Sequence, residues 1–435
     1  MTNITVKWAD KRGPVKPMHG VGQAPFSYCD FSMLHYLTEA GIPFSRLHDV
    51  GGMYGGSVFV DIPNLFRDFS ADPSDPASYD FAFTDQLLVA LTNAGVEPFF
   101  RLGVTIENYI AVKQYRLMPP PDFQKWARIC EGVIRHYNEG WADGYHLGIR
   151  YWEIWNEPEN APDNAENQMW WGTKEEYFEL YDTASKHLKA CFPELKIGGY
   201  ASCGFYAILE KEADPAAKCS PRTQYFLDFF DDFLAYIRAH GSPFDFYSWH
   251  SYASIRDTLR FAAYARKKLD DAGYTNVEHT CNEWNCEPEL RGTLRHAANT
   301  AGMLLALQDT TLDSAMFYDA RCGTSMYGGM FNPLTHKPLP AYYAFMAFNE
   351  LYKRKNAVCV DCAADGECYA CAAVDEAGSG ALMIANPTDT AQPLSVHLGE
   401  KTVCSVKIIT EGHIWEETEL PETLDAYTTL LILAE

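Results

Sequence analysis

The stretch of this chain best equipped for chemistry is Tyr151-Trp152-Glu153-Ile154-Trp155-Asn156-Glu157-Pro158. Tyr151, Trp152, Ile154 and Trp155 are aromatic or β-branched and suit a buried strand. Asn156 and Glu157 are polar, and Pro158 cannot donate to a ladder, so the strand ends near Glu157. A carboxyl is then held at the lip of a buried strand between tryptophans. Apolar walls disfavour its charged form and raise its pKa, which suits a general acid working near neutrality. A second carboxyl has a similar setting. In Glu278-His279-Thr280-Cys281-Asn282-Glu283-Trp284-Asn285, Glu283 closes a strand beside a tryptophan. Two carboxyl groups flanking one bond are the machinery of glycoside hydrolysis. A gap of ~5 Å gives retention through a covalent intermediate, and one of ~6.5–9.5 Å gives inversion.

Those two residues can cooperate only if the fold brings them to one place. From Met18 to about residue 353 the chain repeats a short apolar strand, a polar loop and a longer helix. The strands are expected at His19–Gln23, Phe44–Val50, Glu97–Val104, Arg150–Trp155, Lys196–Ala201, Phe244–His250, Val277–Glu283 and Ser314–Asp319. Helices are expected between them. In 123–140, Phe123, Trp126, Ala127, Cys130, Val133, Ile134 and Tyr137 share one face, and 174–192 repeats the pattern. Eight strand–helix pairs fit a parallel α/β barrel, the (β/α)8 or TIM barrel, whose chemistry collects where strands end. Strands four and seven then present Glu157 and Glu283 to one mouth. An open doubly wound sheet is the rival, but His19-Gly20-Val21-Gly22-Gln23-Ala24 lacks the third glycine of a phosphate turn. After Tyr352 helical periodicity stops. Short strands separated by Asp-Gly, Gly-Ser-Gly and Asn-Pro turns predict a small C-terminal antiparallel β-sandwich over 354–435. Residues 3–8 read as a short edge strand, and the segment 1–17 is expected to join that sandwich, leaving 18–353 to the barrel.

Composition narrows the partners. The 435 residues carry 35 Lys+Arg against 58 Asp+Glu, a net charge of −23. Such a surface repels phosphate backbones and anionic membranes, so no nucleic acid and no membrane partner is expected. No apolar run is long enough for a membrane span. The start lacks a signal-peptide pattern, and thirteen scattered cysteines point to reduced thiols in a cytoplasm. A mature secreted form and a homo-oligomer both stay open.

Trp155-Asn156-Glu157-Pro158 resembles the acid/base motif of the clan of retaining glycoside hydrolases whose catalytic glutamates lie on barrel strands four and seven. More narrowly, residues 18–350 resemble glycoside hydrolase family 39, the β-xylosidase and α-L-iduronidase family. Arg46-Leu47-His48, Ala94-Gly95-Val96-Glu97-Pro98-Phe99 and Trp249-His250-Ser251-Tyr252 carry the likeness. The resemblance implies a retaining exo-β-glycosidase acting on a carbohydrate, with no cofactor and no metal, and β-xylosides as favoured substrates. It implies Glu157 as acid and then base, Glu283 as nucleophile, and Asn156 as a partner of the sugar 2-hydroxyl. Arg46 would keep Glu283 ionised, Tyr252 would donate to it, and His48 and His250 would bind sugar hydroxyls. The two histidines could instead be structural, satisfied by backbone carbonyls. Trp284 and Trp155 read equally as sugar platforms or core.

Two departures touch the sugar subsite. Arg101 stands where relatives often carry an acid. The end of strand eight, Phe317-Tyr318-Asp319-Ala320-Arg321, offers Tyr318 where many present a tryptophan. Arg101 and Arg321 suit a uronide carboxylate, but pairs with local acids are favoured in so acidic a chain. Iduronidase-like, glucoside, galactoside and arabinoside activities on the same scaffold, and a non-catalytic sugar-binding protein, are the alternatives. Cys359, Cys362, Cys368 and Cys371 have zinc-like spacing. In regular strands residues three apart face opposite ways, which argues against a shared metal. Trp170-Trp171-Gly172 is either a cleft roof or a packing cluster.

Overall fold

The structure is a computed structural model that describes residues 2–25, 27–28, 31–50, 60–106, 117–213, 219–322, 327–364 and 366–435. Eight parallel strands close into a barrel: Gly20–Gly22, Phe44–Leu47, Glu97–Leu102, Tyr151–Ile154, Lys196–Ser202, Phe246–Ser251, Glu278–Trp284 and Ser314–Phe317. The last pairs with the first and closes the ring. Strand alternation builds its interior in layers. Phe44, Phe99, Phe246 and Met316, with Tyr151 against them, form an apolar plug. Two residues further along the same strands stand Arg46, Arg101, Ser248, Tyr318 and Glu153, all buried. The outward residues Leu47, Phe100, Leu102, Trp152, Ile154, Tyr247 and Trp249 pack into the core shared with the helices. Those helices begin where side chains can cap them. Asp122 accepts from Lys125 N, and Thr173 and Glu176 make a reciprocal capping box for Lys174–Cys191.

Strands one to four and strand eight stop earlier at their C-terminal ends than hydrophobicity predicts, whereas strands five, six and seven each run one residue further. Strand two stops at Leu47 and strand four at Ile154. Asp49, Trp155 and Glu157 adopt left-handed backbone, with φ of 55°, 72° and 44°, and that conformation cannot continue a ladder. A short helix at Ala207–Ala213 and another at Ile62–Leu65 are too brief for periodicity to reveal.

The small domain holds a nine-stranded sheet. The first strand spans Thr2–Pro14 and is interior, not the short edge expected. It pairs antiparallel with Asn356–Ala363 and parallel with Gln392–His397, so the sheet has one parallel join. Ile4, Val6, Val358, Leu382, Ile384, Leu430 and Ile432 share one core, so the sheet folds over on itself. Its other face, through Ala373, Ala381, Met383, Ala385 and Leu431, joins the barrel's core. The hairpin turn expected near residue 365 includes Asp365, outside the described residues. Among the described residues, no helix is long and apolar enough to cross a membrane.

Candidate active site

Arg46 is the hub of the barrel mouth. Its side chain is fully buried and all three nitrogens are used. Nε donates to Glu153 Oε2 at 2.7 Å, Nη1 to Glu283 Oε1 at 2.6 Å and Nη2 to Asn156 Oδ1 at 2.7 Å. Glu153 is held in turn by Ser248 Oγ and by Asn282 Nδ2, each at 2.6 Å from Oε1. One guanidinium on strand two therefore fixes groups from strands four and seven, which a compact ammonium could not span.

The two glutamates singled out by sequence meet here. Ligand atoms of Glu157, Glu283 and His250 all lie within 4.8 Å of one another. Tyr252 Oη donates to Glu283 Oε2 at 2.8 Å. His250 Nδ1 lies 2.7 Å from Glu157 Oε1 and 3.5 Å from Glu283 Oε2. Asn160 Nδ2 donates to Glu157 Oε2 at 2.8 Å. The Glu157 and Glu283 side chains are 14% and 7% exposed, so both are sheltered but not sealed from solvent.

The protonation pattern differs from the sequence expectation. Burial pushes the Glu157 carboxyl up, but the His250 hydrogen bond and charge, with Asn160, outweigh it and leave its pKa below the ordinary value. Burial raises Glu283; His250 and Arg46 pull it down, Glu157 pushes it up, and the net direction is upward. Arg46 does not hold Glu283 low because burial, with the Glu157 charge, outweighs it. His250 is opposed by burial yet lifted by Glu283 and Glu157. The three groups thus share protons as one unit.

The other candidates take varied places. His48 is buried with Nε2 3.4 Å from Asp49 Oδ1. Tyr318 Oη donates to Asp49 Oδ2 and accepts from Gln23 Nε2, both at 2.9 Å. Gly22 admits this tyrosine: a Cβ there would stand 2.8 Å from Tyr318 Cδ2. Trp284 is buried edge-on to Phe317 at 5.4 Å. Trp155 belongs to the core, donating to Met169 O and packed against Trp170 at 5.2 Å. Trp170 is likewise buried. Arg101 Nη2 meets Asp61 Oδ1 at 2.7 Å and Arg321 Nη2 meets Asp319 Oδ2 at 2.9 Å, so both arginines pair with local acids.

Sequence reasoning missed Glu153, Asn160, Gln23, Asp49 and Tyr327. Strand period alone would have turned Glu153 inward beside Arg46. Tyr327 is half-buried, its ring 5.5 Å from Tyr252 and 5.3 Å from Tyr318, and no local pattern announces it. Asn285 Nδ2 anchors its loop by donating to the Tyr318 and Tyr327 carbonyls at 2.8 and 2.7 Å.

Among the described residues, only Glu157–His250–Glu283 and Glu131–His187–Cys191 bring three metal-capable side chains together. Each has an arginine beside it, Arg46 and Arg135, which disfavours a cation. The four cysteines of the small domain do not converge as a set: Cys371 Sγ turns to Leu305 O at 3.4 Å, and Cys359 hydrogen-bonds Asp10.

Glu159 is a buried acid that the charged triad does not use. Burial, reinforced by Glu157, raises its pKa to about 8. Its unfolded pKa is near the ordinary ~4.3. The folded chain therefore binds the extra proton between those values, and stability present below the lower one is lost as pH rises to about 8. Glu159→Gln is expected to flatten this slope. The variant should gain stability of a few kcal/mol over the parent at pH 8 and little at pH 4.5, read by denaturant melts at both.

A family model described as glycosyl hydrolases family 39 matches residues 54–275. The match takes in Glu157 and ends before Glu283. A β-xylosidase of Geobacillus stearothermophilus is 26% identical over 224 residues, covering 50% of this chain and 39% of that protein. A β-xylosidase of Caldicellulosiruptor saccharolyticus is 25% identical over 349 residues, covering 72% and 63%. The chain thus spans about two-fifths to under two-thirds of these relatives' lengths. A solved glucosidase structure from Croceicoccus marinus aligns over 100% of this chain and 99% of its own, with a TM-score of 0.79 and 20% identity. A family 39 β-xylosidase structure from Caulobacter crescentus aligns with a TM-score of 0.66 at 18% identity, covering 100% and 99%. The two likenesses speak to fold.

Proposed function

The chain belongs to the glycosyl hydrolases family 39, and from that premise we propose that it is a retaining exo-β-glycosidase with β-xylosides as favoured substrates. The observation that carries the reading is the approach of one carboxyl oxygen of Glu157 and one of Glu283 to within 4.8 Å of each other. Carboxyls that approach so closely support a double displacement, whose two groups stand ~5 Å apart, over an inversion, which needs ~6.5–9.5 Å. Relatives named β-xylosidase support the sugar.

In this mechanism Glu283 attacks the anomeric carbon while Glu157 gives its proton to the departing oxygen. A covalent glycosyl-enzyme forms and the aglycone leaves. Glu157 then takes a proton from water, which attacks the same carbon and frees Glu283. Arg46 and Tyr252 hold two donors on Glu283, balancing charge that appears and disappears there. The proton that Glu157 must deliver is carried in its 2.7 Å contact with His250. Arg46 fixes Asn156 by its oxygen, which leaves the amide NH2 to donate to the sugar 2-hydroxyl. Tyr318, Trp284, His48 and Tyr327 serve as pocket walls. The free thiols of the described residues fit a cytoplasmic setting.

A second reading is a β-glucoside substrate, favoured by the glucosidase neighbour. A uronide is less supported, because Arg101 and Arg321 already meet Asp61 and Asp319. The deciding experiment is a panel of aryl β-xylosides, glucosides, galactosides, arabinosides and uronides, with product anomers followed by NMR. Fastest turnover of the xyloside with initial release of the β-anomer is expected. Initial α-anomer would sink retention. Sugar binding by calorimetry with no turnover would leave a lectin.

A further inference from the structure

The thiols of Cys362 and Cys368 lie far from the glutamates and serve no step above. Strands Asn356–Ala363 and Tyr369–Val374 run antiparallel, with Asn356 opposite Val374, Ala357 opposite Ala373 and Val358 opposite Ala372. Continuing that register toward the turn sets residue 362 opposite residue 368. The side chains agree. Cys362 Sγ donates to the Cys368 carbonyl oxygen at 3.8 Å, and the two thiols are close enough to shift one another's titration. Directly opposed residues of an antiparallel pair have the Cα spacing a disulfide needs. Cys362 is exposed and Cys368 half-buried, so an oxidant can reach the first. The neighbouring cysteines do not compete, since Cys371 faces a helix carbonyl and Cys359 faces Asp10.

We infer that Cys362 and Cys368 form a redox-active dithiol that closes to an intramolecular disulfide by exchange with a low-molecular-weight disulfide such as oxidised glutathione. Cys362 attacks first. The nearness of Cys368 holds its pKa below the usual thiol value, whereas that nearness and burial raise Cys368, and the thiolate is the attacking species. The Cys362 thiolate attacks one sulfur of the oxidised glutathione, breaks its S–S bond and expels one glutathione thiolate. Cys368 then gives up its proton, attacks Cys362 of the mixed disulfide and expels the second glutathione. The protein pair loses two electrons and two protons, and the reagent gains them as two thiols. The new bond staples the hairpin whose following strand packs on the helices Leu294–Leu307 and Pro340–Arg354.

The test uses the whole reduced chain treated with oxidised glutathione, then intact mass, alkylation and non-reducing peptide mapping. The expected product is two hydrogens lighter, has lost two alkylatable thiols and yields a peptide joining residues 362 and 368. Dithiothreitol should restore the parent mass. Cys362→Ser should abolish the cross-link, and Cys404→Ser, at another exposed cysteine, should leave it intact. A persistent glutathione adduct on Cys362, a bridge elsewhere, or no loss of thiols would each overturn the inference. Turnover of the xyloside should be unchanged by the oxidation.

Discussion

Glu283→Gly is expected to lower turnover of an activated aryl β-xyloside by about 10^4-fold, because it removes the carboxylate proposed to attack the anomeric carbon. Added azide should recover part of the rate and yield the α-glycosyl azide. A displacement inverts the centre it strikes, and azide would enter from the face that Glu283 occupied. Glu157→Gly should respond differently with the same reagent. Its glycosyl-enzyme still forms from a good leaving group, and azide then attacks the opposite face to give the β-azide. The pair of products assigns the two carboxyls independently of any rate. Unchanged turnover in Glu283→Gly, or a β-azide from it, would remove Glu283 as the nucleophile. Circular dichroism of both variants guards against loss of fold.

Replacing Arg46 should cost the most stability. Arg46→Met leaves Glu153, with no side-chain exposure, and Glu283, with 7%, facing one another's charge without the cation. Breaking a buried ion pair by removing one partner costs roughly 3–5 kcal/mol, and here two acids lose the same partner. Urea melts near pH 7 should show a loss of that size. The deficit should shrink when Glu153→Gln is added, since one stranded charge is then gone. A loss below ~1 kcal/mol in Arg46→Met would mean that the three-way contact with Glu153, Glu283 and Asn156 is not what holds the mouth together. Activity should fall as well, because Asn156 and Glu283 both lose their fixed orientation.

The legible parts of this molecule follow from short-range rules. Eight apolar runs spaced by amphipathic helices pointed to a closed parallel barrel once the first strand offered no phosphate turn for an open sheet, and strand period 2 carried Phe44 to Arg46 and Phe246 to Ser248 and His250. Glu157 was readable because tryptophan and proline bracket it. The same period would have turned Glu153 inward, yet an acid among aromatics reads as a surface residue until its partner Arg46, 107 positions away, is known. Asp49 and Tyr327 were illegible for a different reason. Their positions depend on left-handed backbone or on a loop pinned by Asn285, and neither leaves a periodic trace. The proton balance was misjudged because it is a property of three side chains from strands four, six and seven, not of the walls around one.

The strand Thr2–Pro14 lies between Asn356–Ala363 and Gln392–His397. On the ribosome it emerges before both of these neighbours, with the whole barrel sequence between. Until they arrive, Ile4 and Val6 have no core to enter and the strand offers bare backbone to any passing β edge. The small domain therefore cannot mature ahead of the barrel. A nascent chain stalled before residue 356 should be a favoured client of chaperones.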